Sequence, residues 1–300
     1  MPFPDKTRTI SPESISTKEL HGYLLGAIAP RPIAFASTMN NAGQVNLSPY
    51  SFFNVFGSNP PIIIFSASRR VRDNTIKHSL ENVMEVPEAV VNIVNYNMVQ
   101  QTSLASTEFA KGVNEFVKAG FTEVPSDRVK PPRVAESPAS FECVVEEVKA
   151  TGEEGGAGNL IICRVVQVHI DERILDQDDS IDPFKLDAMG RMGGNWYCRA
   201  NQTALLEVAK PLREKGIGVD RLPEPIKNSS ILTGNELGML GNSSEIPYLE
   251  ARRIAAKHEE ISMVVNTMTD HQLRKQKLHT IAKRALGKND LATAWAALLS

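Results

Sequence analysis

The sequence predicts a mainly β domain with some helices, followed by an irregular and then helical C-terminal extension. Three observations carry this reading. Short β-rich runs recur between residue 32 and about residue 175, joined by Gly- and Asn-containing connections. These strands do not alternate with long helices, which argues against a doubly wound parallel sheet. After about residue 205 the strand pattern stops, so the chain is read as a β-rich domain over 1–205 and an extension over 206–300.

The elements follow in order. "STKEL" is a capping box, with Ser16 as N-cap and Glu19 three residues on. Leu20, Tyr23, Leu24 and Ile28 then keep a helical stripe until Pro30 ends it. "PIAFAST" and "QVNLS" are strands joined by "MNNAG", a hairpin connection. "PPIIIFSAS" is a continuous apolar run, expected as a strand buried on both faces. "DNTIKHSLENVMEV", 73–86, reads as a helix capped by Asp73 or Asn74, "AVVNIVN" as a strand and "GVNEFVKAG" as a short amphipathic helix. "ASFECVVEEVKAT" and "NLIICRVVQVHIDERIL" are long strands around a flexible "GEEGGAG" loop. From Pro211 to Pro247 the Pro, Gly, Asn and Ser content predicts an irregular connection, and the last fifty residues predict helices broken at Gly287.

Composition narrows the function classes. The formal net charge is -2, which does not fit a nucleic-acid or anionic-membrane binder. No apolar run approaches the roughly 20 residues that span a bilayer. "MPFPDKTRTI" has no hydrophobic core behind a basic end, so no signal peptide is expected. Cys143, Cys163 and Cys198 are far apart, as in a reducing cytoplasm, and no disulfide framework is expected.

Several motifs carry no chemistry. "GGAGNL" lacks dinucleotide-binding spacing and precedes a strand, "GK" at 287–288 lacks the upstream glycine of a phosphate loop, and the histidines are scattered without a metal-binding pattern. No G-x-S-x-G elbow occurs. "HQLRKQKLHTIAKRALGK" reads as the solvated face of an amphipathic helix. Three clusters hold more hydroxyls and amides than a plain β core needs: "AST" at 36–38, "NLSPYSFFN" at 46–54 and "SASRRVRDNT" at 66–75. In the last, a strand exits into Arg69, Arg70 and Arg72 before a helix start, a natural phosphate seat. Asp73 and Thr75 capping the helix beside solvated arginines is the equally open structural reading. In "NLSPYSFFN", Pro49 cannot donate to a ladder, so the stretch is expected to leave the sheet there, with either Phe52 or Phe53 entering the core.

"PRPIAFAST", then "NLSPYSFFNVFGSNPPIIIFS", "RDNTIKHSLEN", "GVNEFVKAGFTEVPSDRVKPPRVAESPASFEC" and "RMGGNWYCRA" together resemble the flavin reductase-like, FMN-binding split-barrel family. The agreement is in order through roughly the first two thirds of the chain. "SNPP" stands where D-P-P is usual and "RDNT" where K-D-T is usual, so the phosphate-side register is open.

The resemblance implies a Greek-key split barrel that forms a homodimer and binds one FMN per subunit near the dimer interface. It implies Ser37 and Thr38 near the cofactor, and Asn46, Ser48, Tyr50, Ser51 and Phe52 against the flavin. Asp73, Asn74 and Thr75 would border the phosphate with Arg72 as a nearby cation, and Gly193, Gly194 and Tyr197 would approach from the later segment. The activity implied is hydride transfer from NADH or NADPH to flavin N5, then electron transfer to free flavin, oxygen or a protein partner. A flavin-holding electron carrier and a cofactor-free interaction module are the alternatives. No metal and no catalytic acid, base or nucleophile is assigned.

Overall fold

The computed structural model describes residues 6–208 and 215–300. The first five residues of "MPFPDKTRTI" and the first four of the predicted irregular connection, 211–214, lie outside the described residues. Thr9–Leu206 forms one compact unit and Glu207–Ser300 builds a second.

The first unit opens with α1 (Thr17–Ala27), where Ser16 and Glu19 make the predicted capping box. Then come β1 (Ala34–Met39), β2 (Val45–Tyr50), β3 (Phe53–Ser58), β4 (Pro61–Ser66), α2 (His78–Glu85) and β5 (Glu88–Ile93). They are followed by α3 (Val99–Leu104), α4 (Glu115–Ala119), the short pair β6 (Glu123–Val124) and β7 (Arg133–Val134), and the long hairpin β8 (Ala139–Ala150) and β9 (Asn159–Ile170). A turn of helix, α5 (Pro183–Leu186), and a small hairpin, β10 (Met189–Arg191) and β11 (Tyr197–Arg199), complete it.

Seven strands form one antiparallel sheet in the order β2-β1-β5-β8-β9-β4-β3. β2 and β3 are the two edges, yet only Ser51 and Phe52 separate them in sequence. Three Cα–Cα steps span at most about 11 Å. The two edges must therefore lie close together, and the sheet closes into a barrel with its seam at this bend. The Tyr50 and Phe65 rings meet across it at 5.4 Å, and Ser66 N–H donates to the Phe52 carbonyl at 2.8 Å.

Side-chain alternation divides the interior from the outside. Ala34, Ala36, Tyr50, Ile63, Phe65, Val91, Cys143 and Ile161 fill the barrel with Leu80 and Val83 of α2. Phe35, Leu47 and Val94 point the other way and pack with Met98, Phe116, Phe121 and Met189 in an outer core. Phe53 packs against the inner core, while Phe52 remains 39% exposed.

Two local expectations are corrected. "NLSPY" does not leave the sheet at Pro49, because β2 is an edge strand and runs to Tyr50. Leu47 turns its N–H away from β1, and Pro49, two residues on, occupies the same outward phase, where no ladder bond is lost. The helix expected from residue 73 starts at His78, with Lys77 as its N-cap. Asp73 instead accepts the Thr75 N–H and hydroxyl, and Asn74 takes a left-handed φ of 56°, which breaks the helix there. α3 was not anticipated.

The extension is more helical than its composition indicates: α6 (Glu224–Lys227), α7 (Gly234–Gly241), α8 (Tyr248–Lys257), α9 (Glu259–Thr267), α10 (His271–Leu286) and α11 (Leu291–Leu298). α7 spans the Gly-rich stretch expected to be irregular. A Thr233–Glu236 capping box starts it, and buried Leu240 anchors it. Gly241 is required by close approach, since a Cβ there would stand 3.0 Å from the Val219 nitrogen. Leu222, Ile226, Leu240, Ile261, Leu278 and Trp295 belong to a core of the extension's own. No helix among the described residues is long and apolar enough to cross a membrane.

Candidate functional site

The strand phase of β2 aligns Asn46, Ser48 and Tyr50 on one side. All three line an open cleft of about 310 Å³, its mouth included. Tyr50 is buried, and burial pushes its phenol up to about 12, against the opposing effect of the nearby Ser79 and Ser48 hydroxyls. It is therefore a neutral hydroxyl at physiological pH. The facing wall comes from Arg70, Lys77 and His78, with Ser106, Thr107, Glu108 and Phe109 from the segment after α3.

Arg70 is fixed from several sides. It donates to Glu108 Oε1 at 2.8 Å, Thr75 Oγ1 at 2.8 Å and the Ile76 carbonyl at 2.7 Å. The Lys77 ammonium has no hydrogen-bond or ion-pair partner among the described residues, and burial is the first cause lowering its pKa, with Arg70 adding to it. Burial likewise lowers His78. A half-buried ammonium without a partner, beside an anchored guanidinium, suits a bound anion.

Glu115 of α4 closes the cleft from below. Its Oε2 accepts the Leu47 N–H at 2.9 Å, standing in for the neighbouring strand that an edge lacks. A second cleft, about 250 Å³, lies on its other side, where Asn40, Gln44, Asn82 and Lys111 join Asn46, His78 and Glu115.

The structure separates the sequence-predicted residues into groups. Asn46, Ser48 and Tyr50 line the first cleft, and Thr75 borders it through its bond to Arg70. Asp73 holds Thr75, whose hydroxyl and N–H bring the Asp73 carboxyl down to about 2. Arg72 is 72% exposed and pairs with Asp73 and Glu108 at 2.9 and 3.0 Å. Asn74 accepts from Arg69 Nε at 2.6 Å and donates to the Glu153 carbonyl at 3.0 Å. The β8–β9 loop thus buttresses the arginine loop from behind, and Gly156 N–H also donates to the Arg69 carbonyl.

Thr38 and Ser37 are fully buried. Thr38 Oγ1 accepts from Asn82 at 3.1 Å, while Ser37 Oγ has no partner among the described residues. Ser51 and Phe52 lie at the barrel seam, Ser51 3.5 Å from Arg31 Nε and Phe52 edge-on to His21 at 6.3 Å. Arg31 is itself buried and also donates to the carbonyls of Leu25, Ile28 and Met192, which ties Ser51 to the β10–β11 hairpin. Gly193 packs on α1, where a Cβ would stand 3.1 Å from the Gly26 Cα, and Gly194 adopts φ +57° in the hairpin turn. Tyr197 lies under the Arg191 guanidinium at 4.6 Å and packs against the outer core.

Sequence reasoning passed over Arg31, Lys77, His78 and Glu115. Arg70 was noted within the arginine run, but only its fixed contacts mark it out from Arg72. Elsewhere, Glu142 is the buried member of a group with His169 and Asp127. It accepts the N–H groups of Asp127 and Arg128 at 2.8 and 2.6 Å and contacts His169 at 2.6 Å, which uses its oxygens as a structural staple of β8.

Known proteins share this architecture. Residues 26–184 match the family model of the flavin reductase like domain. An uncharacterised protein of Halalkalibacterium halodurans is 38% identical over 200 residues, covering 66% of this chain and 95% of that protein. Nitrilotriacetate monooxygenase component B from Bacillus cereus is similar in structure, with a TM-score of 0.63 at 29% identity over 68% of this chain and all of that one. The 2-nitrobenzoate 2-nitroreductase of Pseudomonas fluorescens has a TM-score of 0.60 at 25% identity, over 70% of this chain and all of its own.

Proposed function

The chain belongs to the flavin reductase-like family, and from that premise we propose that it is an FMN-binding oxidoreductase using NADH or NADPH. The observation that carries the reading is the cleft in which Ser48 and Tyr50 face Arg70 and Lys77, whose ammonium has no partner among the described residues. This donor set fits the group: an anchored guanidinium and a free ammonium for a phosphate, hydroxyls for short hydrogen bonds and a barrel seam for a flat ring. A bound flavin would supply the redox chemistry, as acceptor of a hydride and source of electrons for free flavin, oxygen or a protein partner.

The residues of this chain bind and orient. Arg70, held by Glu108 and Thr75, and Lys77 fix the anionic end. Asn46, Ser48 and Tyr50 present donors along the cleft, Ser51 and Phe52 offer a hydroxyl and an aromatic edge at the barrel seam, and Thr38 supports α2 through Asn82. Asp73, Asn74 and Thr75 act by shaping the arginine loop. The β10–β11 hairpin with Gly193, Gly194 and Tyr197 covers the seam from the far side through Arg31.

A homodimer is part of the proposal. The edge strand β3 exposes Val55 and Phe56, each by 64%, beside Phe52, and a second copy covers such an edge. Free thiols at Cys143, Cys163 and Cys198 suit a reducing cytoplasm.

Anaerobic mixing of the FMN-loaded protein with NADH and with NADPH tests the activity. Rapid bleaching of the flavin bands by one nucleotide is expected and names the donor. Bands that persist with both contradict the reductase assignment and turn attention to a flavin-holding electron carrier.

A further inference from the structure

Glu115 is a buried carboxylate that forms no ion pair among the described residues. It stands at the first position of α4 and lines both clefts. Its Oε2 accepts the Leu47 N–H at 2.9 Å and the Asn46 side-chain amide at 3.4 Å. No lysine, arginine or histidine among the described residues forms an ion pair with it. Of the basic groups lining the clefts, Arg70 pairs with Glu108 and Lys111 with Glu81. Lys77 and His78 from the α2 side, Glu108 from the segment after α3 and Tyr50 on β2 complete the titratable groups facing it, with Lys118 on its own helix.

Burial raises the Glu115 carboxyl above the ordinary range, against the Leu47 N–H that lowers it. A carboxylate here repels any anion placed beside it. In a half-buried cleft that repulsion is strong, and protonation relieves it. One oxygen is committed to Leu47, so the other is the one available to carry a proton.

We propose that Glu115 is a proton-linked positioning residue, which holds the Asn46–Tyr50 rim through the Leu47 N–H and takes up a proton when an anionic ligand settles in the cleft. The identity of that anion as FMN rests on the function proposed above. The proton comes from solvent and forms an O–H bond at Oε1, while Oε2 keeps the Leu47 N–H. Nothing else is made or broken.

Isothermal titration calorimetry with FMN, in two buffers of different ionisation heat, counts the protons taken up. Glu115→Gln keeps an amide oxygen for Leu47 and loses the charge. It is expected to bind FMN near neutral pH at least as tightly as the parent chain, with fewer protons taken up and a flatter dependence of affinity on pH. Glu115→Ala removes the acceptor and is expected to weaken FMN binding about tenfold. Equal proton uptake by the parent and Glu115→Gln overturns the proposal, as does parental affinity in a folded Glu115→Ala. Inorganic sulfate, a dianion that does not titrate near neutral pH, separates this from the flavin reading. If FMN fails to bind but sulfate binds with Glu115-dependent proton uptake, the flavin reading falls and the proposal stands. If neither ligand produces Glu115-dependent uptake, the proposal is overturned.

Discussion

Arg70 Nη1 and Thr75 Oγ1 are joined by a 2.8 Å hydrogen bond across a loop of four residues, and the same nitrogen donates to the Ile76 carbonyl. The guanidinium is thereby set against the start of α2, leaving the Lys77 ammonium beside it with no partner among the described residues. A cation poised in this way favours ligand binding at the expense of stability.

Lys77→Met therefore separates the two effects. It is expected to weaken FMN binding about tenfold. It is also expected to stabilise the folded chain by about 0.5 kcal/mol, because a desolvated ammonium is replaced by an apolar chain of similar length. Fluorescence quenching and thermal unfolding check the two arms, and a loss of stability with unchanged affinity contradicts the assignment.

Gly155 supports the arginine loop from behind. A Cβ there would meet the Arg70 carbonyl at 3.0 Å and the Val71 Cα at 3.2 Å, both backbone atoms. Gly155→Ala is expected to cost about 1 kcal/mol, lowering Tm by about 3 °C. It is also expected to reduce FMN affinity severalfold by displacing Arg70. Parental affinity in this variant would show that the loop position does not matter to the ligand.

In the extension, His279 is buried and its Nδ1 accepts the Ser229 hydroxyl at 2.7 Å, while that hydroxyl oxygen takes the N–H groups of Ile231 and Leu232. Burial, with Lys275 adding to it, holds the folded pKa of His279 below its ordinary value. The unfolded chain thus binds the proton more readily. Stability is fully present above pH of about 6.5 and falls by up to roughly 1.4 kcal/mol per unit as pH drops toward the folded value. Thermal unfolding followed at pH 7.5 and 5.5 should show this loss, and His279→Gln should remove most of its pH dependence.

Phe56 stands exposed on the edge strand β3. Phe56→Lys is expected to convert the proposed dimer to a monomer without unfolding it, since the side chain leaves solvent only in the assembly. Sedimentation velocity reads the mass. A monomeric parent chain contradicts the dimer, and a variant that remains dimeric moves the interface elsewhere.

How much of this was legible depended on whether the cause was local. The Ser16–Glu19 capping box and the β8–β9 hairpin are written in neighbouring residues, and the structure contains both. The path of "NLSPY" was not, because Pro49 is tolerated according to which side β1 lies on. Asp73 looks like a helix cap in sequence. Yet Arg69 and Arg70 fold the backbone back on Asn74 and Thr75, and α2 waits until His78. α7 was hidden by its three glycines, of which Gly241 alone is set by close approach to Val219, while a Cβ at Gly234 or Gly238 would meet open space. Within the site, Asn46, Ser48 and Tyr50 could be named from the family resemblance of their motif, and the strand phase of β2 sets all three on the cleft. Lys77 and Glu115 could not, because what distinguishes them is a missing partner and a buried charge, and neither leaves a trace in spacing.

The most direct test of the central claim is the visible spectrum of the purified chain after loading with FMN and removing the excess by gel filtration, beside Arg70→Gln treated alike. Flavin bands retained near one per chain by the parent, and lost by the variant at unchanged Tm, are the predicted result. A parent chain that emerges colourless, or an Arg70→Gln chain that keeps its flavin, contradicts it.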